Sequence, residues 1–379
     1  MAIFGAEKFT PPASPRTTYN FNLDWKFTKP PQPAETIPDF EAANFDDSKW
    51  QAVSTPHSFN ETDTFRTIIS HGGGDRGGYK GLAFYRKHFK LPAAAQGSKV
   101  FLEFEGMRQA GQIFVNGKQV GLSENGVTAY GVDITNDVHF GDQENVLAVR
   151  IDNRTNYVEK SSGTGFEWNA NDFNPDHGGL NRRVWLHLTG NIYQTLPIYD
   201  GLQTTGVYVY PANISVAEHT ADVTVESQVH NASGDRATVT LSTVVVDRNG
   251  NVCAKFAGEP LDMVAGEKST IEAVGPLAEA HWWSVDDPYL YDVYTLLSVD
   301  GKVVDVNKLT TGFRKTEYKG GAGIGGVFIN DKFVYLKGFA QRSTDEWAGL
   351  GQAYPEWMHD LSAQILRDCH GNYMRWMHI

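Results

Sequence analysis

The sequence predicts a mostly β protein: a jelly-roll β-sandwich, then an immunoglobulin-like β-sandwich, then the first βαβ unit of a truncated (β/α)8 barrel. Three observations lead there. Short runs with an apolar residue at every second position recur through most of the chain, separated by Gly, Asn and Asp; that period belongs to half-buried strands. No helical period persists over 12 residues until a single stretch near the end, which lies between two strand-like runs. Aromatic residues are 12% of the chain and glycines number 38, and these residue types favour strands and turns respectively.

In chain order, residues 81–89 read as a strand, and 99–105 (KVFLEFE) alternate cleanly. Residues 111–115 do the same and run into Asn116-Gly117, the strongest short hairpin signal. Residues 145–152 (NVLAVRID) and 183–188 (RVWLHL) complete a first sandwich, expected over 1–200. Residues 191–200 read as a polar, Pro-containing connection. A second series follows at 206–210, 221–230, 237–247, 269–274, 291–299 and 302–310, with turns at 231–234 and at Asn249-Gly250. Such strand density over 201–312 suits an immunoglobulin-like sandwich.

After Thr311 the pattern changes. Residues 332–337 (KFVYLK) read as a strand and 355–370 as a helix, with Pro355 at its first position, Leu361 and Ile365 on one face, and Gly371 at the C-cap. Residues 372–378 read as another strand, which makes one βαβ unit. A parallel strand is normally buried on both faces and flanked on both edges. One βαβ unit cannot supply those neighbours, so 313–379 are expected to be the start of a barrel whose remainder lies outside this chain.

Composition removes several function classes. A chain of 379 residues holds two or three domains, and 41% hydrophobic with 21% charged residues is ordinary globular composition. Lys and Arg total 33 against 45 Asp and Glu; the net charge of −12, with no local basic stripe, argues against nucleic acid as a partner. No run approaches 18 apolar residues, so no membrane partner is expected. The first residues lack the apolar core of a signal peptide, either natively or because one has been removed, so the sequence leaves the compartment open, with a bacterial cytoplasm or periplasm as the expectation. Cys253 and Cys369 do not make a disulfide framework or a zinc site and read as two buried thiols. The twelve histidines show no H-E-x-x-H spacing. A structural divalent cation at Asp133, Asn136 and Asp137 competes with a plain solvated turn, and no other cofactor is implied. The Gly-rich run 71–78 (HGGGDRGG) is followed by a strand, whereas a phosphate cradle needs a helix N-terminus.

Several local runs carry a resemblance. Residues 45–60 (FDDSKWQAVSTPHSFN) fit D-x-x-W-x-x-V-x-x-P-H; FVNG at 114–117, DIT at 133–135 and NVLAVRIDN at 145–153 follow in order. LNRRVWL at 180–186, WSVDDPYLY at 283–291, TGFR at 311–314 and FINDKFVYLKG at 328–338 complete the series. In this order the runs resemble glycoside hydrolase family 2, the β-galactosidase, β-glucuronidase and β-mannosidase group. The resemblance implies a retaining exo-β-glycosidase that releases terminal β-galactosyl residues from oligosaccharides, with a β-glucuronidase or β-mannosidase of the same family as the alternative, and often a homo-oligomer. Retaining chemistry needs two carboxyl groups about 5–5.5 Å apart, and the family supplies two glutamates on later barrel strands. Neither falls within these residues, so the 379-residue chain alone is expected to be inactive.

The resemblance also implies sugar contacts. His378, in RWMH at the end of the last strand, matches a histidine that bonds a sugar hydroxyl, although Met377 replaces the family's serine; Arg375 matches a supporting arginine. Arg342 stands where the family has a histidine, and a guanidinium fork there suits a charged, sulfated or altered sugar. The run GFAQRSTDEW resembles the branch acting on red-algal galactans such as agar or porphyran oligosaccharides. Asp345 and Glu346 point opposite ways on an extended segment, so they make a poor acid–nucleophile pair, and Glu346 is retained as a substrate contact. The loop 165–179 (GFEWNANDFNPDHGG) offers Trp168 as a stacking face and Asn169, Asp172, Asp176 and His177 as polar contacts. Two rival readings use the same residues: a non-catalytic carbohydrate-binding module, and an interaction protein built of two sandwiches with Trp168 packed inward.

Overall fold

The computed structural model describes residues 7–31, 35–60, 79–126, 128–154, 156–163, 165, 177–321, 324–342 and 353–377. They form two compact units. One comprises Thr18–His187, Ile198–Gln203 and Gly338–Ile379; the other comprises Met1–Thr17, Leu188–Pro197 and Thr204–Lys337.

The first sandwich is built from β1 (Thr17–Asn20), β2 (Trp25–Thr28), β3 (Gln51–Val53), β4 (Leu82–Phe89), β5 (Lys99–Phe104), β6 (Gly111–Val115), β7 (Lys118–Ser123), β8 (Tyr130–Asp133), β9 (Asn145–Asp152) and β10 (Val184–Thr189). One sheet runs β3-β2-β4-β9-β6-β7 and the other β1-β10-β5-β8. The Asn116-Gly117 turn has positive φ at both residues, as a tight hairpin twisted to match its strands requires. Trp25, Tyr85, Leu102, Phe104, Ile113, Leu147, Ile151 and Leu186 are among its buried side chains.

Strand β4 is buried on both faces, and the D-x-x-W run explains the second. Phe40 packs edge-on against Phe84 and Phe114 at 4.8 and 5.4 Å. Asp47 Oδ2 accepts from Arg86 Nε at 2.7 Å, and the same guanidinium donates to the carbonyls of Phe40 and Ala42. The motif therefore pins a loop over the sheet. Asp133 accepts the Thr135 N–H at 2.9 Å and Asp137 pairs with Lys118 at 2.5 Å, so both acids serve a hydrogen-bonded turn.

The second sandwich comprises β11 (Ile192–Gln194), β12 (Val207–Ser215), β13 (Thr220–Asn231), β14 (Ala237–Val246), β15 (Val252–Ala257), β16 (Leu261–Met263), β17 (Lys268–Leu277), β18 (Tyr291–Val299) and β19 (Lys302–Thr311). β13 is flanked by β11 and β12 on one edge and by β17 on the other. The facing sheet is β15-β14-β18-β19, and Val223, Val225, Leu241, Ile271, Val293 and Leu297 lie between the two. The expected polar connection at 191–200 is corrected: it holds β11, and Tyr193, Gln194, Leu196 and Ile198 are buried. Gln194 tolerates burial because its side chain bonds Ser227, Thr295 and Asp305. Arg16 reaches the same acid, with Nε and Nη2 at 2.8 and 2.7 Å from the two Asp305 oxygens. Residues 7–16 thus strap the second sandwich, although residues 18–187 of the other unit follow them in the chain.

Three further strands, β20 (Thr316–Gly321), β21 (Ile324–Ile329) and β22 (Lys332–Val334), form an antiparallel sheet. Then come β23 (Gly338–Arg342), helix α1 (Glu356–Asp368) and β24 (Tyr373–Met377), with β23 parallel to β24. The βαβ unit is present, but its first strand is Gly338–Arg342; KFV of 332–337 pairs with β21 instead. Pro355 is the N-cap of α1. At its other end His370, not Gly371, takes the left-handed φ of +55°. Gly371 N–H bonds the Leu366 carbonyl and His370 N–H that of Arg367, a Schellman closure. Cys369 at that C-cap is exposed and Cys253 is half-buried, which corrects the expectation of two buried thiols.

Asp305→Ala is expected to destabilise the second sandwich by about 3–5 kcal/mol, because it strands a buried guanidinium and the Gln194 N–H. Urea denaturation measures this; a loss below about 1 kcal/mol would show the strap to be ornamental.

Candidate functional site

The end of the 165–179 loop returns into the first sandwich between two other segments. His57 N–H bonds the Leu180 carbonyl at 2.8 Å and Phe59 N–H that of Gly178 at 3.1 Å. On the other side Arg108 and Gly179 exchange both backbone bonds, at 2.9 and 2.7 Å. A Cβ at Gly178 would strike the Phe59 ring, and one at Gly179, whose φ is +142°, would strike the His57 carbonyl. The glycine pair is what lets the chain thread this slot. Asn60 completes it: its Oδ1 accepts the Gly178 N–H and its Nδ2 donates to the Tyr79 carbonyl, both at 2.9 Å. One side chain thus joins residues 60, 79 and 178. Asn153 holds the Gly81 N–H at 2.8 Å beside it.

Two histidines are sealed into this frame. His177 is 1% exposed, and burial, with Arg108 and Lys80 nearby, pushes its pKa down to about 3. His57 is buried as well; burial and then Lys29 push it down to about 4, and its Nδ1 lies 2.8 Å from the Tyr85 hydroxyl. Both rings are neutral near pH 7. His177 sits inside the root of the loop, where it shapes the slot.

The LNRRVWL run then forms a bracket. Arg182 is packed over Gly106, where a Cβ would lie 2.7 Å from Arg182 Cγ. Burial lowers its pKa, opposed by Tyr354 and Glu105. Arg183 Nε lies 3.2 and 3.0 Å from the two Glu105 oxygens, and its Nη1 pairs with Glu356 in the first turn of α1. Trp185 Nε1 donates to Glu105 at 2.9 Å, and the Arg183 guanidinium lies 5.4 Å from the Trp185 ring centroid. Tyr354 and Met358 are buried. The run therefore fastens the helix start to the sandwich.

Of the other site residues, Arg375 pairs with Ala340 and is exposed on the face opposite Gln341, whose amide bonds Ser362 of α1 at 2.9 Å. Arg342 ends β23, in register with Met377. Trp168, Asn169, Asp172, Asp176, Asp345, Glu346 and His378 lie outside the described residues. Sequence reasoning missed Asn60, Arg108 and Arg182, whose roles arise from partners distant in the chain. The signal available was Gly178-Gly179 followed by two arginines. Glu105 and Glu356 converge on Arg183, where both accept from one guanidinium.

Residues 206–314 match the family model described as "Glycosyl hydrolases family 2", and residues 82–187 match "Glycosyl hydrolase 2 galactose-binding domain-like". A beta-glucuronidase of Formosa agariphila is 37% identical over 97% of this chain and 36% of its own length. A beta-galactosidase of Thermoanaerobacter pseudethanolicus is 28% identical over 96% of this chain and 44% of its own. A solved beta-glucuronidase from glycoside hydrolase family 2 superposes with a TM-score of 0.86 at 36% identity, covering 97% of this chain and 37% of that one. The chain thus spans well under half the length of these relatives.

The two histidines set an acid limit. Both folded pKa values lie below the ordinary 6.5, so the unfolded chain binds protons first as pH falls. Their contribution is complete above about pH 6.5 and declines below it, by about 1.4 kcal/mol per pH unit for each ring. His88, raised by Asp47 and Glu144, acts oppositely and only above that pH. Stability measured by urea denaturation between pH 6.5 and 5 is expected to fall by about 2 kcal/mol per histidine, and His57→Gln to reduce the slope. A slope unchanged by His57→Gln would contradict this assignment.

Proposed function

The chain belongs to glycoside hydrolase family 2, and from that premise we propose that it is part of a retaining exo-β-glycosidase that removes terminal β-galactosyl residues from oligosaccharides. The observation that carries the glycosidase reading is the superposition over 97% of the chain at a TM-score of 0.86 on a beta-glucuronidase of the family, while the galactosyl choice rests on the sequence resemblance and the beta-galactosidase relative. The first sandwich shapes the sugar pocket through the loop rooted at Gly178-Gly179, the second is a spacer, and β23-α1-β24 begins the catalytic barrel. In that barrel the carboxyl pair lies outside residues 1–379. The exposed stripe Trp357, Leu361 and Ile365 on α1 supports further barrel elements as its cover.

The 37% identical relative named a beta-glucuronidase favours a second reading, release of terminal β-glucuronyl residues. Arg342, at the end of a parallel strand, suits a sugar carboxylate or sulfate in that reading. An agar- or porphyran-type galactan is the finer version of the first. No cofactor is required, since acid–base and nucleophilic steps are both carboxylate chemistry.

The test is turnover of chromogenic β-galactosides and β-glucuronides by the full-length parent. Hydrolysis of one, with none by the 379-residue chain, is expected. Activity in the chain alone would show that its own carboxylates do the work. Sugar binding without turnover in the parent would support a carbohydrate-binding module instead. In an active parent, Asp172→Ala and Asp176→Ala are to be compared. At least one is expected to raise KM or lower kcat/KM about 10–100-fold, the worth of a hydrogen bond to a charged group. Wild-type kinetics in both would remove that loop from the sugar site.

A further inference from the structure

The outward face of the sheet β12-β13-β17 is unlike a plain solvated sheet. Register places Tyr208, Glu226 and Glu272 in one cross-strand row and Tyr210, Thr224 and Val274 in the next. The Tyr208 and Tyr210 rings lie 5.3 Å apart, tilted by 34°, and Tyr208 is 62% exposed. Tyr210 Oη donates to Glu226 Oε1 at 3.0 Å, which fixes its ring. The opposite face of the same strands carries Val207, Val223, Val225, Ile271 and Ala273 in the core, so the aromatic pair is not needed for packing. Glu226 and Glu272 are directly opposed, and like charges so placed destabilise a ladder.

We propose that this face is an auxiliary saccharide-binding surface, with Tyr208 and Tyr210 as the stacking edge and Glu226 and Glu272 as acceptors for sugar hydroxyls. Exposed tyrosine rings give apolar contact area at small entropic cost. Carboxylates without a cation in their row call for an occupant that brings donors but no negative charge, which describes a neutral polysaccharide. An acidic or sulfated chain would be repelled by the same two groups. The surface lies on the second sandwich, whereas the galactose-binding-like match lies at 82–187. The choice of a saccharide rests on the glycosidase reading above; the geometry of the face does not.

Affinity electrophoresis of the chain tests the inference, with a neutral β-galactan or polygalacturonate cast in the gel. Retardation by the neutral galactan alone is expected, weakened at least tenfold in Kd by Tyr208→Ala and by Glu226→Gln, with unchanged melting temperatures. Retardation insensitive to both variants, absence of retardation, or retardation by polygalacturonate alone would overturn it. So would binding of a polylysine peptide, but not of galactan, through the same residues. Failure here with an active parent leaves the glycosidase reading standing. Tyr208-dependent retardation with a parent inert on every chromogenic glycoside leaves this surface standing and removes that reading.

Discussion

The structure around the candidate site depends on a backbone threaded where no side chain fits. Gly178 and Gly179 pass between residues 57–59 and 108 with hydrogen bonds to both. That passage fixes where the 165–179 loop re-enters the sandwich. Just after it, Arg183 and Trp185 both bond Glu105, and Arg183 also pairs with Glu356 at the start of α1. Asn60 ties Tyr79 to the same passage. A few adjacent positions therefore set the root of a loop and the docking of a helix. Substitution at either glycine is predicted by sterics to disturb both together.

The electrostatics follow from the same burial. Burial keeps both histidines neutral, and the cations beside them, Arg108 and Lys80 at His177 and Lys29 at His57, raise the cost of protonating those rings further. Farther out, Arg183 works at the rim, half-exposed, so its pairs with Glu105 and Glu356 guide orientation more than they stabilise. The described part of the site thus combines two neutral buried histidines and buried arginines with a charged, half-exposed rim at Arg183.

Much of the fold was legible because strands with one buried face keep a strict period of two. Tyr291–Val299 alternates buried and half-buried positions over almost its whole length, and its bounds agree with the sequence reading. Asn116-Gly117 specified its hairpin by φ alone. Several strands were not read from the sequence, and for two of them the physical reason is plain. β11 is three residues long and carries Gln194, which is buried only because Asp305, Ser227 and Thr295 satisfy it. β23, with the sequence GFAQR, has no alternation and is recognisable only through its parallel partner. At the site, the 165–179 run was singled out in sequence, but the threading of Gly178 and Gly179 was not read from it. The roles of Asn60 and Arg182 were not legible either, because they depend on partners far along the chain, Gly178 for Asn60 and Glu105 and Tyr354 for Arg182.

The central claim is that this chain frames a sugar site whose cleaving carboxylates belong to other polypeptide of the same protein. A mechanism-based glycosidase inactivator, applied to the full-length parent and located by peptide mass spectrometry, tests it most directly. The account predicts a glycosylated glutamate in a peptide outside these 379 residues. Label on a carboxylate within them, Glu105 or Glu356 above all, would contradict it.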